Sequence, residues 1–260
     1  MKHLLTIILS CMLLAAPALA QPTPAPYQEP QDPIIAYARS IQALEFEAAL
    51  DATAGSYMGQ RFDLSKLVER VGSFMPFNNP VLPTSYAPYA QINDLLMRSQ
   101  QATNMQLFLM SLLVPQLELN RPTVLQEGKL QVPEGDPVPL EDLSARMDPQ
   151  RLRGLELRAL LHLSGEKYQN EGIREYNAKF GAIYGFTQQE DFYAVYELEG
   201  SLYQNGYIVG LFEPDGGWLI VRHTTALGGT SAMGGVVPLS EDGFAALLAD
   251  PNLTLVYEAE

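Results

Sequence analysis

Between residues 191 and 225 apolar and polar side chains alternate, and two dipeptides interrupt the pattern, Asn205-Gly206 and Asp215-Gly216. Alternation with a period of two marks a half-buried strand, and Asn-Gly or Asp-Gly supplies the positive φ that tight hairpin turns require. The stretch therefore reads as a three-stranded antiparallel meander, whose apolar face needs a second layer to cover it. If each dipeptide is a two-residue loop, Tyr203 lies opposite Ile208, Gln204 opposite Tyr207, and Ile208 opposite His223. Tyr203, Ile208 and His223 then share one face.

The covering layer is visible upstream. Ile34, Ala38, Ile41, Leu44 and Ala48 recur at helical spacing, with Gly55 as a stop. Asp63 caps a second stripe of Leu64, Leu67, Val68, Val71 and Phe74, which Pro76 ends. Tyr89 to Leu113 reads as the longest helix. Its second half is apolar on nearly every side, which suits burial on more than one face, with Met97, Met105 and Met110 as core filler. Further on, Leu155, Leu157, Ala159, Leu161 and Leu163 show strand spacing, and Ile173, Tyr176, Phe180, Ile183 and Tyr184 return to helical spacing. A short helix, Glu241 to Ala249, and a strand, Leu253 to Tyr257, close the pattern.

The predicted fold class is α+β: an N-terminal helical layer packed with a C-terminal curved antiparallel sheet. The expected organisation is an export signal over 1–20, a proline-rich linker over 21–33 and a helical region over 34–119. A connecting segment with four prolines follows over 120–142, then an α+β region with hairpins over 143–260. A long surface connection inside one domain spanning 34–260 gives the same pattern.

MKHLLTIILSCMLLAAPALA has the basic start, short apolar run and A-x-A site of a secretory signal cleaved after Ala20, so the expected location is periplasmic or secreted. Cys11 reads as an apolar member of that run. Acylation there would leave Met-Leu-Leu-Ala-Ala as an unusual mature terminus. Cys11 is the only cysteine, so the mature chain has no disulfide and depends on an ordinary core. A net charge of −14 opposes phosphate backbones and anionic membranes, so nucleic acid is not expected as a partner. No run after the signal is long enough to span a bilayer.

The stretch RHTTALGGTSAMGGVVPLS, residues 222–240, invites a catalytic reading. It lacks the lysine and the following helix of a phosphate loop. Its G-T-S-A-M-G is one residue longer than a nucleophile elbow, although Asp215, His223 and Ser231 occur in an order that a hydrolase can use. Common residues in a mobile glycine-rich loop explain it as well. His162 and His223 have no metal-ligand spacing, so neither a metal nor a cofactor is expected. Glu197 and Glu199 share a strand face as a candidate cation or acid–base pair, and a solvated face accounts for them equally.

Seven of the 13 tyrosines fall between Tyr168 and Tyr207, near the single Trp218, and amphipathic rings of this kind suit a concave ligand site. Tyr203, Tyr207, Trp218 and His223 are the candidate ligand-binding residues. The leading expectation is an exported, non-catalytic envelope protein that binds a small molecule, a glycan or another envelope protein through this face or a pocket. The alternatives are a secreted hydrolase using His223 and Ser231, and an assembly factor that docks through its apolar helix.

Overall fold

The structure, a computed structural model, describes residues 27–72, 82–115, 123–132, 136–224 and 235–259. The signal segment with Cys11, the start of the proline-rich linker, Phe74, Pro76 and Ser231 with its glycine loop lie outside the described residues. The fold is α+β, with helices first and an antiparallel sheet after them.

Helix α1 (Asp32–Ala43) buries Ile34, Tyr37, Ala38 and Ile41 along the expected stripe. It stops earlier than the spacing predicts. Leu44 takes a left-handed conformation (φ 65°), and the amides of Leu44 and Glu45 close onto the carbonyls of Ile41 and Ser40. That closure satisfies the last carbonyls of the helix. Helix α2 (Phe46–Asp51) follows at once, and α3 (Gly55–Arg61) begins at the glycine expected to be a stop. The side chain of Asp63 caps α4 (Leu64–Val71) by accepting from the Lys66 amide, as its sequence implies, and Gly72 ends the helix with φ 69°. Helix α5 (Ala87–Leu113) is the longest.

Gly55 and Gly59 lie one turn apart on α3 and face α5. A Cβ on Gly59 would stand 2.6 Å from the backbone of Asp94, whereas one on Gly55 would stand 3.1 Å from the Cα of Arg98. Gly59→Ala is therefore expected to cost about 1–3 kcal/mol by forcing the two backbones apart. Gly55→Ala is expected to be near neutral, because about 1 kcal/mol of gained helix propensity offsets a milder clash. Urea denaturation of the two variants checks this ordering; equal effects would contradict the close approach.

The segment expected to be a bare connection forms a small sheet of its own. Strands β1 (Val124–Gln126), β2 (Lys129–Gln131) and β3 (Val138–Pro139) pair in that order, with Glu127 and Gly128 both at positive φ in the first turn. Helix α6 (Leu140–Arg146) and a 3-10 helix (Pro149–Gly154) lead to the main sheet. Strand β4 (Glu156–Leu163), helices α7 (Glu166–Gln169) and α8 (Glu171–Tyr184), and strands β5 (Gln189–Leu198), β6 (Ser201–Phe212) and β7 (Gly217–Thr224) come next. Strand β8 (Val237–Leu239), helix α9 (Glu241–Ala249) and strand β9 (Leu253–Glu258) complete the described chain. The strand order is β7-β6-β5-β4-β9, and β8 pairs with the first part of β6.

The meander is present, but one turn sits elsewhere. Leu198 pairs with Ser201, so the first hairpin turns at Glu199-Gly200, with φ 53° and 77°. Asn205 and Gly206 lie within β6, opposite Ala194 and Tyr193. The second hairpin closes at Phe212 and Gly217, around a loop that contains Asp215-Gly216. The expected register is corrected accordingly. Tyr203 faces Tyr196, Gln204 faces Val195, Tyr207 lies between Phe192 and His223, and Ile208 faces Arg222.

Helices cover both faces of the sheet. One face, with Tyr196, Tyr207, Val209 and Ile220, shares a core with Ile34, Tyr37, Ile41, Phe108 and Leu112 of α1 and α5. The other packs Phe212, Leu219 and Val221 against Met58 of α3 and Ile183 of α8, and further along packs Val195 and Leu202 beneath α9. The outer edge of β7 is closed by backbone bonds to Tyr27, Ala52 and Ala54 and by the amide of Gln101. Closing an edge in this way removes a template for unwanted strand pairing. Among the described residues no helix is long and apolar enough to cross a membrane.

Candidate functional site

Arg151 organises the site. It sits on the 3-10 helix, whose first turn is fixed by the Asp148 side chain accepting from the Gln150 amide at 2.9 Å. Its guanidinium donates to both oxygens of Glu199, from Nε at 2.8 Å and from Nη2 at 2.6 Å. Nη1 donates to the carbonyls of Leu113 and Arg146. One side chain thus joins the β5–β6 turn to the ends of α5 and α6. The two-point bond to Arg151 holds the Glu199 carboxyl below its usual range, and the same bond raises Arg151. Glu199 adopts positive φ in the tight turn that brings its carboxylate to Arg151.

The three joined segments wall an open cleft of about 520 Å3. Tyr203, almost buried, contributes to its lining, together with Leu113, Asp142 and Arg146. Among the described residues the Arg146 guanidinium has no ion-pair partner. Two arginines beside one cleft stand out in a chain of net charge −14.

The other residues named from the sequence lie elsewhere. Tyr207 is fully buried, and its hydroxyl meets that of Tyr196 at 2.6 Å. His223 is 1% exposed, with its ring centroid 4.9 Å from Tyr37 and 4.8 Å from Tyr207. Among the described residues neither of its ring nitrogens has a hydrogen-bond partner, and burial pushes its pKa down to about 3. Trp218 is 8% exposed in the same core. Tyr207, Trp218 and His223 therefore belong to a packed interior beneath α1 and α5, rather than to an open concave face.

Asp215 lies in the exposed β6–β7 loop, where its carbonyl accepts from the Tyr57 hydroxyl. His223 is six residues up β7 from Gly217, roughly 20 Å away at the rise of a strand. Asp215 and His223 are thus not brought together. An imidazole with a pKa near 3 is also a poor general base at neutral pH. Glu197 and Glu199 do not act as a pair, because Glu197 lies 3.4 Å from Arg158 and Glu199 is held by Arg151. His162 meets Glu190 at 2.6 Å, and among the described residues no group of three or more His, Cys, Asp or Glu side chains is placed to hold a metal ion.

No family model matches the sequence, and no curated protein matches it. Among solved structures the chain is similar to a cystatin-like protein from Ruminococcus gnavus, with a TM-score of 0.48 and 16% sequence identity. The match covers 90% of this chain and 46% of that one, so the chain spans about half the length of that structure.

Arg146 and Arg151 were not among the residues singled out from sequence. A signal was present: Arg146, Arg151, Arg153 and Arg158 are four of only 16 basic residues and fall within one short stretch. Of the residues considered there, Tyr203 and Glu199 do reach the cleft. The arrangement offers the Arg146 guanidinium to an anionic group and Leu113 and Tyr203 to an apolar portion.

Proposed function

We propose that this is an exported, non-catalytic binding protein whose ligand, an acidic glycan or an acidic segment of an envelope protein, sits in the cleft beside Tyr203. The observation that carries the reading is the Arg146 guanidinium, free of any described carboxylate next to a rigidly held Arg151. The volume of about 520 Å3 lies in the range of small-ligand sites. Export is supported by the signal-like first twenty residues.

The test is NMR titration of the mature protein with a glucuronate-containing disaccharide and with an acidic tripeptide. Shifts are expected at the Arg146 and Arg151 guanidinium Nε–H resonances, and Arg146→Glu is expected to weaken binding about ten- to hundredfold, the worth of a charge-assisted hydrogen bond. Shifts elsewhere, or equal binding by the variant, would refute the proposal. Arg151 is left intact in this test because its loss would unlink three segments.

A second reading, docking of a protein partner, is favoured by one surface. Tyr89, Ile92, Leu95 and Leu96 on the N-terminal half of α5 are exposed, Leu95 to 69%. Clustered apolar side chains on a helix are a common feature of docking faces.

A further inference from the structure

The main sheet treats its two edges differently. Strand β7 is closed by backbone bonds, whereas β9, at the other end of the strand order, has a pairing strand on one side only among the described residues. Thr254, Leu255 and Val256 follow one another and all are exposed, Leu255 to 42% and Val256 to 38%. Successive side chains of a strand point to opposite faces, so a strand covered on one face alternates between buried and exposed. Exposure of all three puts the opening at the edge they share, where amides and carbonyls wait for a partner strand. Val256 is the extra residue of a bulge, because Leu160 pairs with Tyr257 and Leu161 with Leu255. The bulge bends the edge and shortens its regular run. That suits a short partner segment and discourages the long flat pairing that leads to aggregation.

Charge selects among the possible occupants. After Arg222 the sequence has no lysine or arginine, and it carries Glu241, Asp242, Asp250, Glu258 and Glu260. Asp250 precedes β9 and Glu258 ends it, and neither takes part in a described ion pair. The Asn252 amides, and more weakly Lys167, hold the Asp250 carboxyl below its usual range, so the Glu258 end is the less compensated of the two. A second copy paired antiparallel on β9 would bring its own Glu258 toward Asp250 at both ends, like charge against like. A segment with lysine or arginine on either side of apolar, β-branched residues meets the same edge with opposite charge. Helix α9 packs beside β9 over a shared cluster with Leu253 and leaves Leu248 exposed, which offers apolar surface to the side chains of such a segment.

We infer that the open edge of β9 receives an extended segment of another protein, apolar in its middle and basic at its ends, as an added strand. The edge shares no residue with the Arg151 cleft, and its test does not depend on a ligand there. The mature protein is titrated with the capped peptide Lys-Val-Thr-Val-Thr-Val-Lys, with the same peptide carrying glutamate in place of both lysines, and with one carrying proline in place of the central valine. The basic peptide is expected to bind and to slow hydrogen exchange at the β9 amides that exchange freely in the unbound protein, leaving β7 unchanged. The glutamate peptide, through repulsion, and the proline peptide, through lost ladder bonds, are each expected to bind at least about tenfold more weakly. Glu258→Lys, at an exposed position, is expected to weaken the basic peptide about threefold or more and to narrow its advantage over the glutamate peptide. No binding of the basic peptide at millimolar concentration, equal binding of either control, undiminished binding by Glu258→Lys, or protection away from β9 would overturn the inference. So would dimerisation of the peptide-free protein with protection of the same amides, which would assign the edge to a second copy.

Discussion

Asp191→Asn is expected to make the protein more acid-sensitive between pH 4 and 6, and His223→Leu to make it less so. The two native residues pull in opposite directions. Burial holds the folded pKa of His223 at about 3, against 6.5 when unperturbed. Below pH 6.5 the unfolded chain takes up the proton and the folded one does not, so stability falls by about 1.4 kcal/mol per pH unit until pH 3. Burial raises the folded pKa of Asp191 from 3.8 to about 6, a rise the Gln189 amide opposes by donating to it at 2.8 Å. Here the folded protein takes up the proton first. Acidification from pH 6 to 3.8 therefore adds stability at a similar slope, up to about 3 kcal/mol. From pH 6 to about 4 the two effects nearly cancel, so their joint contribution in the wild type is flat. Removing either one exposes the other. Urea midpoints recorded from pH 4 to 7, taken as the difference between each variant and wild type, cancel the carboxylates that all three share. Parallel profiles would show that one or both groups are solvated.

Asn205-Gly206 shows why the sheet could be read from sequence while its register could not. The alternation of β6 continues through the dipeptide, and ten pairs with β5, from Gln189–Gly210 to Leu198–Ser201, outweigh the local preference of two residues. The turn moved to Glu199-Gly200, which carries the same positive φ with a less typical first residue. The α+β class, the Asp63 cap and the α9 boundaries follow from period and capping, which are local. The pairing of Ile208 with Arg222 and of Val209 with Ile220 leaves Val221 as an extra residue, a bulge without a local signature that turns His223 into the core. The same holds for Gly55 and Gly59, whose role depends on α5 lying against them. The Arg151 cleft was half legible. Tyr203 and Glu199 drew notice as a tyrosine cluster and a carboxylate pair, but the guanidinium that gathers three distant segments around them is a fact of tertiary structure.

Phe108→Ala is expected to cost about 3 kcal/mol, at the low end of the 3–5 kcal/mol usual for a buried phenylalanine. Phe108 is fully buried on α5, with its ring 5.3 Å from Tyr196, 5.8 Å from Tyr37 and 6.4 Å from His223. Those neighbours set the magnitude. A cavity lined only by hydrocarbon stays dry and carries its full penalty. This one would open beside the Tyr37 hydroxyl and both His223 nitrogens, none of which has a hydrogen-bond partner among the described residues. Water entering the space gains those partners, which offsets part of the lost packing. The same water weakens the desolvation that depresses His223, so its pKa should climb from about 3 toward 6.5. Guanidinium unfolding measures the cost, and the His223 ring resonances titrated by NMR report the hydration. A cost near 5 kcal/mol with His223 still titrating near 3 would mean that the space stays dry. A smaller cost with a raised His223 would identify the Tyr37–His223 pair as a polar flaw in the core that Phe108 keeps out of contact with water. The acid sensitivity contributed by His223 would shrink by the same shift, which ties this result to the pH profiles of the His223 variant.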